Sequence, residues 1–206
     1  MQQQTARPSV AFGTFCREIN QDTLSRTFEV FADLKQRRYS DIHVMFHSTG
    51  GLIPEGIALF NYFKSLPLEL HLYNPGAVAS AAVTAFVGAR YRYASKQATF
   101  LLHKVASAER TSMRAVEHQA LAHALTISDT NNEAILKSII KMPQEKWTAY
   151  ENAYATITAQ EALECGLITE ILDFQPLPDA YFFDTVKLGV RGSRSRYTNK
   201  EHTLRD

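Results

Sequence analysis

Three stretches of this chain carry residues able to do acyl-transfer chemistry if folding brings them together: Gly50-Gly51, Ser80 and His103. Gly50-Gly51 follow the alternating run Asp41-Ile-His-Val-Met-Phe-His, and a glycine pair there offers a turn at positive φ. Ser80 closes Gly76-Ala-Val-Ala-Ser and precedes a run of small apolar residues. A strand-to-helix turn at that point exposes the hydroxyl, as such turns do for the nucleophiles of other hydrolases. His103 ends Thr99-Phe-Leu-Leu-His. A serine hydroxyl is a poor nucleophile until a base takes its proton, and two fixed N–H donors stabilise the oxyanion that then develops. Each feature alone has a plainer use: a turn, a small residue that lets a helix pack closely, a hydrogen-bonded strand-end histidine. Their order argues for more, because all three fall at the carboxyl ends of predicted parallel strands, where open α/β sheets place their sites.

The elements that must position them follow from periodicity. Asp22 is read as the cap of a helix through Gln36, with Leu24, Phe28, Phe31 and Leu34 at helical spacing. Ile42, Val44 and Phe46 share one face of a strand by period two. Pro54 suits the first turn of a helix that Leu66-Pro67 stops, and Leu70 to Tyr73 is a second strand. Strand, crossover helix, strand is a right-handed parallel unit, and the Ser80 helix followed by the Phe100 strand repeats it. The fold class is therefore α/β.

From about 106 to 141 there is neither Gly nor Pro. A helix of ~30 residues would be ~45 Å long, against a radius of gyration near ~17 Å for a domain of this size. Such a helix projects, and its apolar stripe (Val116, Ala120, Ala124, Ile127) needs a partner. Pro143 opens a short helix to about Glu151, and Ala159 to Glu164 form another closed by Gly166. A strand over Leu167 to Phe174 follows. The reading is one domain over 11–188, with a mobile arm at 1–10 and a basic, disordered tail at 189–206.

The 22 Lys and Arg against 21 Asp and Glu leave a net charge of +1, which argues against nucleic acid or an anionic membrane as partner. No apolar run reaches the ~20 residues a membrane span needs, and no secretory signal is evident. Cys16 and Cys165 form no metal spacing or disulfide framework, so a cytoplasmic protein is expected. His43 and His47 share a strand face, but no third ligand is spaced to join them, so no metal and no cofactor is expected.

His47-Ser-Thr-Gly-Gly-Leu-Ile-Pro-Glu-Gly-Ile-Ala-Leu-Phe, Gly76-Ala-Val-Ala-Ser-Ala-Ala and Phe100-Leu-Leu-His together resemble the proteolytic subunit of the Clp protease, the ClpP family of self-compartmentalising serine peptidases. Glu18-Ile-Asn-Gln-Asp-Thr and Ile157-Thr-Ala-Gln-Glu-Ala-Leu-Glu-Cys-Gly-Leu-Ile extend the likeness over about 12–174. The resemblance implies the crotonase-like superfold of repeated ββα units, with the long helix as the handle that joins heptameric rings face to face. It implies Ser80 as nucleophile, His103 as general base, and the backbone N–H groups of Gly51 and Ala81 as oxyanion hole. It also implies a homo-oligomer acting on peptide or unfolded protein, and it leaves an ATP-dependent unfoldase open as a partner.

Three positions depart from the family pattern. Thr49 stands where Pro is usual, Ala81-Ala82 where Met-Gly is usual, and Tyr154 where the triad aspartate falls, with Asn152 close by as another candidate. A ring subunit with impaired catalysis, serving structure or docking, is thus the alternative, and a crotonase-like acyl-CoA enzyme is a third reading. Lys104 is a rival base, but neighbouring strand residues point to opposite faces, which favours His103.

Overall fold

The computed structural model describes residues 9–104 and 114–185. The predicted arm and tail, and the 106–113 portion of the predicted long helix, lie almost wholly outside the described residues.

The chain runs β1 (Ser9–Cys16), α1 (Gln21–Gln36), β2 (Tyr39–His47), α2 (Ile53–Ser65), β3 (Glu69–Asn74), β4 (Ala77–Ala79), α3 (Ala81–Phe86), β5 (Tyr91–Ala94), β6 (Thr99–His103), α4 (Ala115–Ile139), α5 (Gln144–Asn152), β7 (Tyr154–Thr158), α6 (Ala159–Glu164), β8 (Glu170–Ile171) and β9 (Tyr181–Asp184). Six strands form one sheet in the order β8-β5-β3-β2-β1-β9, with every pairing parallel. A smaller sheet, β4-β6-β7, pairs β4 parallel and β7 antiparallel to β6.

Several local signals read differently in three dimensions. Asn20, not Asp22, caps α1: its side chain accepts from the Thr23 N–H at 3.0 Å and Thr23 Oγ1 accepts from the Asn20 N–H at 2.9 Å. That reciprocal box satisfies two otherwise orphan donors, and Asp22 falls in the first turn, where the helix dipole favours it. Of the strand expected over Leu167 to Phe174, only Glu170–Ile171 forms a strand, paired with Tyr93 and Ala94 of β5 and flanked by the Thr169 and Leu172 N–H groups donating to Arg92 O and Ala94 O. β7 was hidden between two helices, although its alternation of exposed Tyr154, Thr156 and Thr158 with buried Ala155 and Ile157 is a period-two signal.

The core runs from the large sheet to the small one through a chain of ring contacts. Phe15 of β1 stacks on Phe46 of β2 at 4.7 Å, Phe46 meets Phe86 of α3 at 5.9 Å, and Phe86 meets Phe100 of β6 at 5.4 Å. All six residues of α3 are buried. That short helix is thereby clamped between the sheets, and the residue at its N-cap, Ser80, is held with it.

Helix α4 is anchored only near its end. Buried Asn132 accepts a short hydrogen bond from Thr84 Oγ1 of α3, Leu136 enters the core, and Glu133 pairs with Lys104 at 3.0 Å. From Ala115 through Asn131 no residue is buried, and Val116 and Ile127 are 74% and 47% exposed. At 1.5 Å per residue the helix is about 37 Å long. It projects.

Candidate active site

The Gly50-Gly51 turn is tied down on both sides. Ser48 donates its N–H to Ala77 O (3.3 Å), accepts from the Ala79 N–H (2.9 Å), and receives the Gly50 N–H on its Oγ (3.2 Å). On the other flank the Ile19 N–H donates to Gly50 O (2.7 Å) and the Leu52 N–H to Ile19 O (2.9 Å). Both glycines adopt positive φ, 101° and 145°. Neither position has room for a side chain: a Cβ on Gly50 would lie 2.7 Å from Ser80 Cβ, and one on Gly51 would lie 2.0 Å from Ile19 O. Gly50 is therefore the surface against which Ser80 packs, and Gly51 the point where the Ile19 backbone closes on the turn.

Ser80 sits where β4 turns into α3, at φ 55° and ψ −131°, and its side chain makes no cap hydrogen bond. Its N–H donates to Leu101 O of β6 at 2.7 Å. Leu101 and His103 share one face of β6 by period two, so Ser80 is docked on the strand that carries the imidazole. No hydrogen bond joins Ser80 to His103 among the described residues. Nor do the N–H groups of Gly51 and Ala81 donate to any acceptor among the described residues. Both N–H groups are thus unspent, and the ideal Cβ of Gly50 would be 3.3 Å from the Ala81 nitrogen.

His103 Nδ1 lies 2.7 Å from the main-chain carbonyl of its neighbour Lys104. A carbonyl only accepts, so Nδ1 is the donor, and in the neutral ring Nε2 is left with the lone pair, the tautomer a general base needs. Tyr154 is the register partner of His103 across the β6–β7 ladder, where opposite Cβ atoms lie about 4.5–5.5 Å apart. Tyr154 is 62% exposed, and no hydrogen bond among the described residues links it to the imidazole. Asn152 ends α5, outside the ladder, and is not brought to His103 by any hydrogen bond among the described residues. Sequence reasoning missed the Lys104 carbonyl, which carries no side-chain signal. It also missed Ser48, although the Ser48-Thr-Gly-Gly cluster marks a turn in which a hydroxyl can bond the backbone.

The Lys104 side chain points to other work. Its Nζ is held by Glu133, which raises its pKa, and lies 5.7 Å from the Tyr150 ring centroid. A lysine kept protonated cannot take the serine proton. His43 and His47 also part: His47 Nδ1 lies 3.3 Å from the Ala77 nitrogen, while His43 Nδ1 lies 2.8 Å from the Tyr73 hydroxyl and its Nε2 faces Asp41. Burial pushes the pKa values of His43 and His71 down, outweighing the opposing pull of Asp41.

A family model described as Clp protease matches residues 13–175. The chain belongs to the Clp protease family. The match covers both the glycine turn and the β6–β7 ladder. Among curated relatives, the "ATP-dependent Clp protease proteolytic subunit 2" of Treponema pallidum (strain Nichols) is 26% identical over 136 residues, which span 64% of this chain and 66% of that protein. Among solved structures, a mutant of ClpP1 from Listeria monocytogenes superposes with a TM-score of 0.68 at 17% identity, covering 80% of this chain and 92% of that one. The α/β fold with its long helix is the Clp protease fold. No described helix is long and apolar enough to cross a membrane.

Proposed function

We propose that this chain is a Clp-type serine peptidase that hydrolyses peptide bonds inside a ring assembly of its own copies. The observation that carries the reading is the packing of the Gly50 turn on Ser80, where a Cβ on Gly50 would lie 2.7 Å from Ser80 Cβ, with the Ser80 hydroxyl and the N–H groups of Gly51 and Ala81 unspent among the described residues. In this reading His103 Nε2 takes the Ser80 proton as Oγ attacks the scissile carbonyl, and the two N–H groups hold the oxyanion. The imidazolium then gives its proton to the leaving amine, and water hydrolyses the acyl-enzyme by the same route. The Lys104 carbonyl orients the ring and stabilises the imidazolium as a dipole, without a carboxylate's charge. A fluorophosphonate tests the reading directly: it should label Ser80 covalently in the assembled protein, and a folded assembly that takes no label overturns it.

Tyr154 favours a second reading, a ring subunit with impaired catalysis, because it stands opposite His103 with no acidic group. Tyr154→Asp separates the two. An aspartate in that register can accept from Nδ1 in competition with the Lys104 carbonyl, and peptide turnover should rise about tenfold, which corresponds to ~1.4 kcal/mol of transition-state stabilisation. The gain must vanish when Ser80→Ala is combined with it. A fall in turnover with the ring intact would show that Tyr154 itself, or an unidentified group, holds the histidine.

The exposed α4 supports face-to-face stacking of rings, since a helix that leaves Val116 and Ile127 in water needs a partner surface. Ile127→Glu should therefore lower the oligomeric state on sizing chromatography while the far-ultraviolet circular dichroism of the protomer is kept. An unchanged elution volume removes α4 from the interface. Peptide or unfolded protein is the substrate class, and an ATP-dependent unfoldase is the partner proposed, in keeping with a relative named as part of an ATP-dependent protease.

A further inference from the structure

Away from Ser80, the large sheet carries a second constellation that the peptidase reading does not use. Phe12, His43, His71 and Tyr91 are register partners on β1, β2, β3 and β5, and their rings stack in sequence at 4.8, 4.3 and 4.3 Å. Two residues earlier on the His43 face of β2 lies Asp41. Its Oδ1 is 3.1 Å from Nε2 of His43 and 3.1 Å from Nε2 of His71. That oxygen is buried, yet neither nitrogen is aligned with it well enough for a directed hydrogen bond. Glu69, the register partner of Asp41 on β3, brings a second carboxylate whose Oε2 is also buried and without a hydrogen-bond partner. Glu69 is already served on its other oxygen by Arg90 at 3.4 Å, so Asp41 is the carboxylate that the two imidazoles share.

We propose that Asp41, His43 and His71 form a binding site for a divalent transition metal, with Zn²⁺ the best match. Two imidazoles and a carboxylate are a ligand set typical of zinc, with water completing the shell. Ligands at about 2.0–2.2 Å from a tetrahedral ion lie about 3.3 Å from one another, and the two Nε2–Oδ1 separations are 3.1 Å, with all three ligand atoms within 4.8 Å. The stacked rings are 11° from parallel, so each must turn about Cβ–Cγ to aim its lone pair at the ion, a motion along a broad torsion. The far nitrogens start from hydroxyl partners: His43 Nδ1 lies 2.8 Å from the Tyr73 hydroxyl and His71 Nδ1 lies 3.2 Å from that of Tyr93. A tyrosine oxygen accepts as well as donates, so it can take the Nδ1–H that a metal-bound imidazole presents. The side chains of Asp41, His43 and His71 keep 27%, 17% and 14% of their exposure, which leaves an entry path and room for water.

The site is a tie between β2 and β3 and takes no part in peptide hydrolysis. His47, the last residue of β2, is six positions beyond Asp41, roughly 20 Å along an extended strand. A ligand held by the folded state alone also raises its stability.

Calorimetric titration of the chelator-treated full-length chain with zinc chloride should give one ion per protomer. His71→Gln and Asp41→Asn should each weaken binding at least tenfold, and Tyr93→Phe should weaken it by about tenfold through loss of the outer partner. With Co²⁺ the wild type should show d–d absorption that Asp41→Asn loses. A second measurement needs no variant: Zn²⁺ should protect His43 and His71 of the wild type from diethyl pyrocarbonate and leave His47 as reactive as before. Absence of binding, equal affinity in the variants, or protection that falls on other histidines each overturns the assignment.

Discussion

Ser80→Ala should reduce peptide hydrolysis to background, a loss of about 10⁴-fold or more where the serine is the nucleophile, and should abolish fluorophosphonate labelling. The fold should survive, because the Ser80 side chain caps nothing and a lost cap would cost only ~1 kcal/mol in any case. The backbone sharpens the test. Ser80 holds φ 55° and ψ −131°, a conformation that L-residues adopt at a cost of about 1–3 kcal/mol. Ser80→Gly should therefore be as inactive as Ser80→Ala and yet unfold at higher denaturant concentration. If Ser80→Ala instead lost several kcal/mol on chemical denaturation, Ser80 would be a packing residue and the nucleophile assignment would fail.

Gly51→Ala should be the most damaging single-methyl substitution in the chain's glycine turn. The new Cβ would meet Ile19 O at 2.0 Å, Ile19 C at 2.8 Å and Ile19 N at 2.9 Å, all backbone atoms of a segment bonded to the turn on both sides, and φ is +145°. Backbone cannot swing away as a side-chain tip can, so a loss of on the order of 3–5 kcal/mol is expected. Whatever fraction folds should carry a displaced Gly51 N–H, and its labelling rate should fall by ~10²–10³, as when an oxyanion donor is removed. Gly76→Ala is the control: its Cβ would have as nearest neighbour His47 Nδ1 at 3.9 Å, an ordinary contact. It should change stability by less than ~1 kcal/mol. Equal denaturation midpoints for the two variants would refute the close-approach account of Gly51.

What could be read from the sequence was local or came from motif order. A period-two run located β2, Pro54 located the start of α2 and Leu66-Pro67 its end before β3, and the Gly-free, Pro-free stretch foretold α4, although it ends at Ile139 and its first predicted residues lie outside the described ones. The family was legible because several short motifs keep their order over most of the chain, and the match over residues 13–175 bears that out. Local code failed where elements are short or depend on neighbours. β4 has three residues and exists because Ser48 and β6 pair with it; β8 has two. The cap of α1 was placed two residues late, because Asn20 and Asp22 are both good caps and only backbone geometry separates them.

Tertiary structure alone decided which side chains face one another, because strand register is set by pairing between segments far apart in sequence. It put Tyr154 opposite His103 across 51 positions, so the departure from the family motif stands in register with the imidazole. It gave Nδ1 of His103 a main-chain carbonyl, a partner that no residue type announces. It also separated His43 from His47 and joined it instead to Asp41 and to His71, 28 positions downstream on β3. The sequence by itself determined the chemical alphabet, the order of the elements and the glycines that let backbone approach Ser80. Which of those groups meet, and at what distance, follows from a parallel register whose energy is shared over many contacts and encoded in no single one.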